Sequence, residues 1–303
     1  MAAQHRSQSD AKPRGIHWLA LVLLVLVWGS SFILIKRGLV FFSSLEVGAM
    51  RIAISFLVLS PLLIKHLKKV PLSRLKFFIL AGIIGNGLPP FLFAIAQTQI
   101  DSYMAGVLNA LTPLFTLLVG ILFFGTRSRW HNVAGVIIGL AGAIGLLTMA
   151  NDGQVNSIFY GLLAVAAALC YAINMNLIKR YLSDFSALTI TSVVFLFIGI
   201  PSLVYLLAGS RMLSTLASEP GAWAGFGYIA LLAIVGTALA MIIHNWLIKQ
   251  TSALFTSTVT YLMPIVSIMW GVADGEAFLV SYLASIALIL AGVYLSGKKR
   301  ERG

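Results

Sequence analysis

Ten runs of apolar residues, separated by short polar breaks, fill almost the whole chain: 16–36, 44–65, 74–97, 101–124, 130–149, 157–180, 185–208, 222–248, 252–275 and 276–296. Each approaches the ~20 residues that cross the hydrocarbon of a bilayer as a helix. Little remains for a soluble domain, so the pattern predicts an all-α integral membrane protein of ten transmembrane helices. Polar and helix-breaking residues inside the runs then carry the information. In IIGNGLPPFLF (83–93), Gly85, Asn86 and Gly87 precede two prolines. Pro89 and Pro90 remove amide donors and free the carbonyls near Gly85 and Asn86, which a membrane helix tolerates only where neighbours or water satisfy them. A kink is expected there.

The pattern is written twice. LTPLFTLLVG (111–120) matches LMPIVSIMWG (262–271), and at the same offset Gly85 matches Gly236 and Gln99 matches Gln250. The copies run over 16–149 and 157–296, joined by a polar hinge at 150–156, with tails at 1–15 and 297–303. Five spans is an odd number, so the second copy must enter the membrane upside down. Two inverted five-helix repeats can enclose a midplane pocket that opens to either side in turn, the architecture of secondary transporters. Helix eight has Ala240 where helix three has its first proline, so the kink is not expected to recur there.

Composition agrees: 59% of residues are hydrophobic, 10% are charged, and the mean hydropathy is +0.97. The net charge of +12 is a topology signal rather than a nucleic-acid footprint. Basic residues gather in the segments around 6–14, 65–76, 127–129, 179–180 and 298–302, with Lys249 on the same side and Arg51 within a span, leaving only Lys36, Arg37 and Arg211 on the other side. The positive-inside rule therefore places both termini in the cytoplasm. Lys12 and Arg14 ahead of an apolar run resemble a signal peptide, but WGSSF lacks a small-x-small cleavage site and the repeat needs this helix. Cys170, the single cysteine, excludes an internal disulfide. It reads as a packing residue.

WGSSFILIKRGL (28–39), GAMRIAISFLVL (48–59), LTPLFTLLVGILFFG (111–125) and the closing LAG runs resemble the ten-helix EamA branch of the drug/metabolite transporter superfamily. The resemblance covers nearly the whole chain. It implies a carrier in the bacterial inner membrane that exports amino acids or other small metabolites. The Gly-Glu pair usual after each copy's fourth helix survives as Gly275-Glu276 but reads Gly125-Thr126 in the first copy.

Candidate cargo contacts are the polar and aromatic residues within the spans. Arg51 is the rarest, a fixed cation that could meet a carboxylate or phosphate; a structural pair with Glu46 or Asp101, or snorkelling to the interface, competes. Asn86 either lines the cavity or bonds between helices. Asn109 shares a face with Pro113, and Tyr261 stands beside Pro264; the matched prolines suggest paired bends. Aligned on the Lys-Arg pairs, Trp28 corresponds to Tyr171 and Ser31 to Asn174. An aromatic wall followed three residues later by a polar group suits an amphipathic metabolite, with close helix contact through Gly29-Ser30-Ser31 as the alternative. His244 is the candidate coupling residue, with a packing role as its alternative. Glu46, Asp101, Asp274 and Glu276 all fall near helix ends, so no relay of midplane acids is evident.

The expected function is a secondary-active or facilitative exporter of small amphipathic metabolites such as amino acids. Its partners are a small-molecule substrate, membrane lipid, and a proton or exchanged solute, with the protein a monomer or homodimer. Export of drugs or organic cations, or import, is the alternative. An intramembrane enzyme is the reading from another class, and no HExxH or Gly-x-Ser-x-Gly motif supports it. No metal site, cofactor or ATP-binding glycine-rich lysine loop is expected.

Overall fold

A computed structural model describes residues 14–125, 128–149, 155–251 and 253–297. The described residues are helical throughout, with no strand. Eight helices are long and apolar enough to span a membrane: α1 (Gly15–Leu39), α2 (Ser44–Leu67), α3 (Leu72–Ala96), α4 (Ser102–Phe124), α5 (Trp130–Met149), α6 (Ser157–Leu182), α7 (Ala187–Gly209) and α8 (222–250). Two more apolar helices follow, α9 (Ala253–Ala273) and α10 (Tyr282–Gly297). The last helix starts six residues later than the apolar run suggests. Gly275, at φ +83°, turns the chain out of helix, and 276–281 form the connection. The tails at 1–13 and 298–303, the hinge at 150–154 and Thr126 lie outside the described residues.

The large exposed side chains settle the solvent. Leu19, Leu122, Phe123, Trp130, Ile137 and Ile144 point outward along α1, α4 and α5. A patch of this size in water would drive aggregation, whereas lipid chains solvate it. Inside the bundle, every residue from Ser102 to Leu108 is buried, which places the first half of α4 at the centre.

Helix pairing is reciprocal. α2 packs on α7, and α5 on α10, each a helix against the one five places later. α1 packs on α9 and α8, while α6 packs on α4 and α3. The tightest seam is α5–α10, where small residues let the backbones touch. A Cβ on Gly292 would lie 2.5 Å from the Gly135 carbonyl oxygen and the Gly139 nitrogen. One on Gly142 would lie 2.7 Å from the Ser285 carbonyl.

The expected kink is present as a wide π-helical turn over Ile83–Gly87, followed by α-helix that begins at Leu88 with Pro89 and Pro90 in its first turn. Leu88 N–H reaches back to the Ile83 carbonyl, five residues away. Contrary to expectation, α8 repeats the wide turn over Leu232–Leu239 without the prolines. Its carbonyls find partners on neighbouring helices: Ser55 Oγ donates to Ala233 O at 3.1 Å and Trp28 Nε1 to Gly236 O at 2.9 Å. These side-chain donors make proline unnecessary.

Pro113 and Pro264 also behave differently from one another. α4 breaks at Ala110–Leu111, and Thr112 Oγ1 donates at 2.8 Å to the Asn109 carbonyl that Pro113 leaves without its helical donor. α9 instead runs unbroken through the buried Pro264. The two prolines therefore do not make a pair of equal breaks.

Candidate functional site

The bent helices enclose a small polar chamber. It is lined by Arg51 and Ile52 of α2, Gly85, Asn86 and Pro90 of α3, Tyr171 of α6, Phe195 of α7 and Thr237 of α8. Residues 16–149 thus supply five of its walls and residues 157–296 three. The centre of a water-sized sphere has about 20 Å³ to move in, room for one or two waters. A metabolite does not fit this space unless side chains or helices around it move.

Arg51 lies seven residues into α2, about 10 Å below its first turn at 1.5 Å per residue. Its Nε donates to Thr237 Oγ1 at 3.3 Å. The structural partners expected for it are engaged elsewhere. Glu46 closes a capping box with Ser43 at the start of α2 and accepts the Arg211 N–H at 2.8 Å. Among the described residues no carboxylate pairs with Arg51; the acidic partners belong to Lys36, Arg37 and Arg74.

Asn174, one turn beyond Tyr171, is buried and sits directly on Gly85. Any Cβ at Gly85 would collide with its amide. Its Oδ1 is buried without a hydrogen-bond partner, an unusual state for an amide in a packed interior. The second half of the chain offers the same arrangement in reverse. Trp28 donates to Gly236, and Ser31 Oγ lies 3.5 Å from where a Gly236 Cβ would be. Tyr171 lines the chamber, whereas its counterpart Trp28 is not among the lining residues; the Trp28 ring lies 5.1 Å from His244.

Asn109 and Tyr261 are not among the residues lining the chamber. Asn109 lies at the α4 break, its carbonyl held by Thr112. Tyr261 turns away because a phenol in a span needs an acceptor; its hydroxyl donates to Val293 O of α10 at 3.3 Å. Thr237 and Phe195 line the chamber although the sequence did not single them out. A hydroxyl directly after the matched Gly236 was the available signal for Thr237. Phe195 looks like any other apolar residue.

A second polar cluster closes one end of the bundle. Lys36 Nζ lies 2.7 Å from both Asp274 Oδ2 and Glu276 Oε1, and Arg37 pairs with Asp274. Glu276, its side chain 1% exposed, also accepts the N–H groups of Ser102 at 3.0 Å and Tyr103 at 3.2 Å. It thereby caps α4, whose own Asp101 makes no side-chain cap. Burial pushes the Asp101 carboxyl above its usual range, repulsion from Glu276 adds to this, and Lys36 opposes it. No group of three or more metal-ligating side chains occurs among the described residues.

The whole chain has relatives. An "Uncharacterized inner membrane transporter" of Escherichia coli is 26% identical over 91% of this chain and 91% of that protein. A "Probable amino-acid metabolite efflux pump" of Salmonella typhimurium is 27% identical over 92% of this chain and 93% of its own length. A solved structure, titled "Crystal structure of protein", superposes with a TM-score of 0.61 at 19% identity, covering 93% of this chain and 96% of that one. The EamA-like transporter family matches twice, over residues 15–148 and again over 158–297. With both stretches matched, the chain belongs to the EamA-like transporter family.

Proposed function

We propose that the protein is a secondary carrier of a bacterial inner membrane that exports small amphipathic metabolites, amino acids foremost, by alternating access between two inverted halves. One observation carries this reading: a polar chamber about 10 Å into the spans, built by α2 and α3 from one half and α6, α7 and α8 from the other. The basic residues at 65–76 and 179–180 put that end of the bundle, and both termini, in the cytoplasm. The relatives named as an inner membrane transporter and as an efflux pump for amino-acid metabolites support the location, the direction and the cargo class.

The chamber's charge favours an anionic group on the cargo over an organic cation. The Arg51 guanidinium is a cation and would repel another cation. Among the described residues no carboxylate lines the chamber, so downhill export or exchange fits better than a buried proton relay.

Counterflow of labelled amino acids by the purified protein in liposomes tests the proposal. Wild type should exchange amino acids, and Arg51→Gln should lower the rate at least tenfold while eluting as folded protein in detergent. Equal rates in the two would overturn the assignment of the chamber.

A further inference from the structure

Beside the polar chamber lies a much larger apolar groove, open to the side of the bundle between α2, α3 and α7. It gives the centre of a water-sized sphere about 520 Å³ and is walled by residues such as Leu45, Ala49, Leu88, Phe91 and Pro201. The wide turn of α3 and the small residues Ala49 and Gly87 leave this space. Of its two polar side chains, Ser202 already donates to Ile198 O at 2.8 Å. Ile52, 1% exposed, is the residue that lines both groove and chamber. The chamber holds the Arg51 guanidinium, with no acidic partner among the described residues, and the groove is hydrocarbon-lined space.

We infer that chamber and groove are two subsites for one ligand: a carboxylate-bearing amphipath, its carboxylate against Arg51 and its hydrocarbon tail in the groove, with Ile52 turned aside. The inference rests on the chamber being the cargo site and adds the tail's location and length dependence. Depth selects the occupant. A bilayer phospholipid holds its phosphate at the membrane surface, whereas Arg51 lies about 10 Å below the start of α2. An anion that reaches Arg51 must belong to a molecule small enough to be drawn into the span whole. Asn86 also lines the chamber, and an asparagine amide oxygen accepts a hydrogen bond from an ammonium group, so unbranched 2-amino acids match the chemistry of both subsites.

The experiment is counterflow by full-length protein in liposomes with a series of 2-amino acids whose unbranched side chains grow by one methylene at a time. In wild type the half-saturating concentration should fall with each methylene, about fourfold where the added group is fully withdrawn from water. Leu88→Trp adds bulk at the groove's lipid-exposed rim, and Ser202→Phe fills the groove from α7. Either should flatten that dependence, raising the long homologue's half-saturating concentration at least tenfold more than the short one's. The exposed position of Leu88 keeps the test valid if Ser202→Phe fails to fold. A flat series in wild type, or a dependence unchanged in a folded groove variant, would overturn the inference; in the latter case the groove holds bilayer hydrocarbon only. Both results leave the chamber intact if Arg51→Gln still abolishes exchange. If no amino acid exchanges and Arg51→Gln matches wild type, the chamber reading fails, and this inference with it.

Discussion

Single side chains decide whether the chamber exists. Gly85 matters because Asn174 occupies the volume of its absent Cβ. Gly85→Ala should push Asn174 aside and lower counterflow at least tenfold, and adding Asn174→Ala should recover part of the loss. A double mutant no better than Gly85→Ala would show that the two residues do not interact. Asp101 gives a pH-dependent prediction. Its folded pKa lies above the ordinary 3.8, so the folded state holds a proton that the unfolded state has released. Stability then falls as pH rises from 3.8 through the raised value, and the penalty persists at neutral pH. Asp101→Asn should raise the thermal midpoint at pH 7 and lose that advantage at pH 3.5, measured by unfolding in detergent. Arg51, Asn86 and Tyr171 were legible in the sequence because charge, amide and phenol stand out in apolar runs. The directions of Trp28 and Tyr261 were not. Each aims at a backbone carbonyl on another helix, and an acceptor of that kind leaves no trace in residue identity.

At the scale of helices, backbone contact replaces side-chain interdigitation along α5–α10. Gly292→Val would force the seam apart by placing carbon against the backbone of Gly135 and Gly139. Overpacking of this kind costs ~1–3 kcal/mol, and more where no side chain can yield. The variant should show a lower unfolding midpoint with its chamber contacts unaltered, so any residual folded protein should retain the cargo's half-saturating concentration. The apolar helices, eight long enough to span a membrane and two shorter, and most of their limits could be read from apolar run lengths. The form of the bends could not. Two prolines marked the wide turn of α3, but the same turn in α8 depends on Ser55 and Trp28 arriving from other helices. Pro264 in an unbroken α9 makes the converse point: a proline records a missing donor, and the surroundings decide whether the axis breaks.

Across the whole molecule, Lys36 and Arg37 near the end of α1 clasp Asp274 and Glu276 between α9 and α10. These residues come from the two halves, so parting the halves at this end requires the pairs to break. Cysteines replacing Lys36 and Asp274 in a Cys170→Ser background, joined by a short reagent with a reducible linkage, should stop counterflow, and reduction should restore it. Unimpeded exchange by the cross-linked protein would show that this end does not move during turnover. The same carboxylate that holds Lys36 also caps α4, whose first half is buried throughout. Withdrawal of Glu276 strips two amides at the head of that helix and breaks one of the two pairs on Lys36, whose ammonium still holds Asp274. Water must reach those amides as that pair breaks, so the hydration of one helix end and the loosening of the clasp become a single event. A transporter arranged in this way would feel the activity of water at that surface, and its turnover should slow under osmolytes excluded from the cleft even when the cargo gradient is held constant.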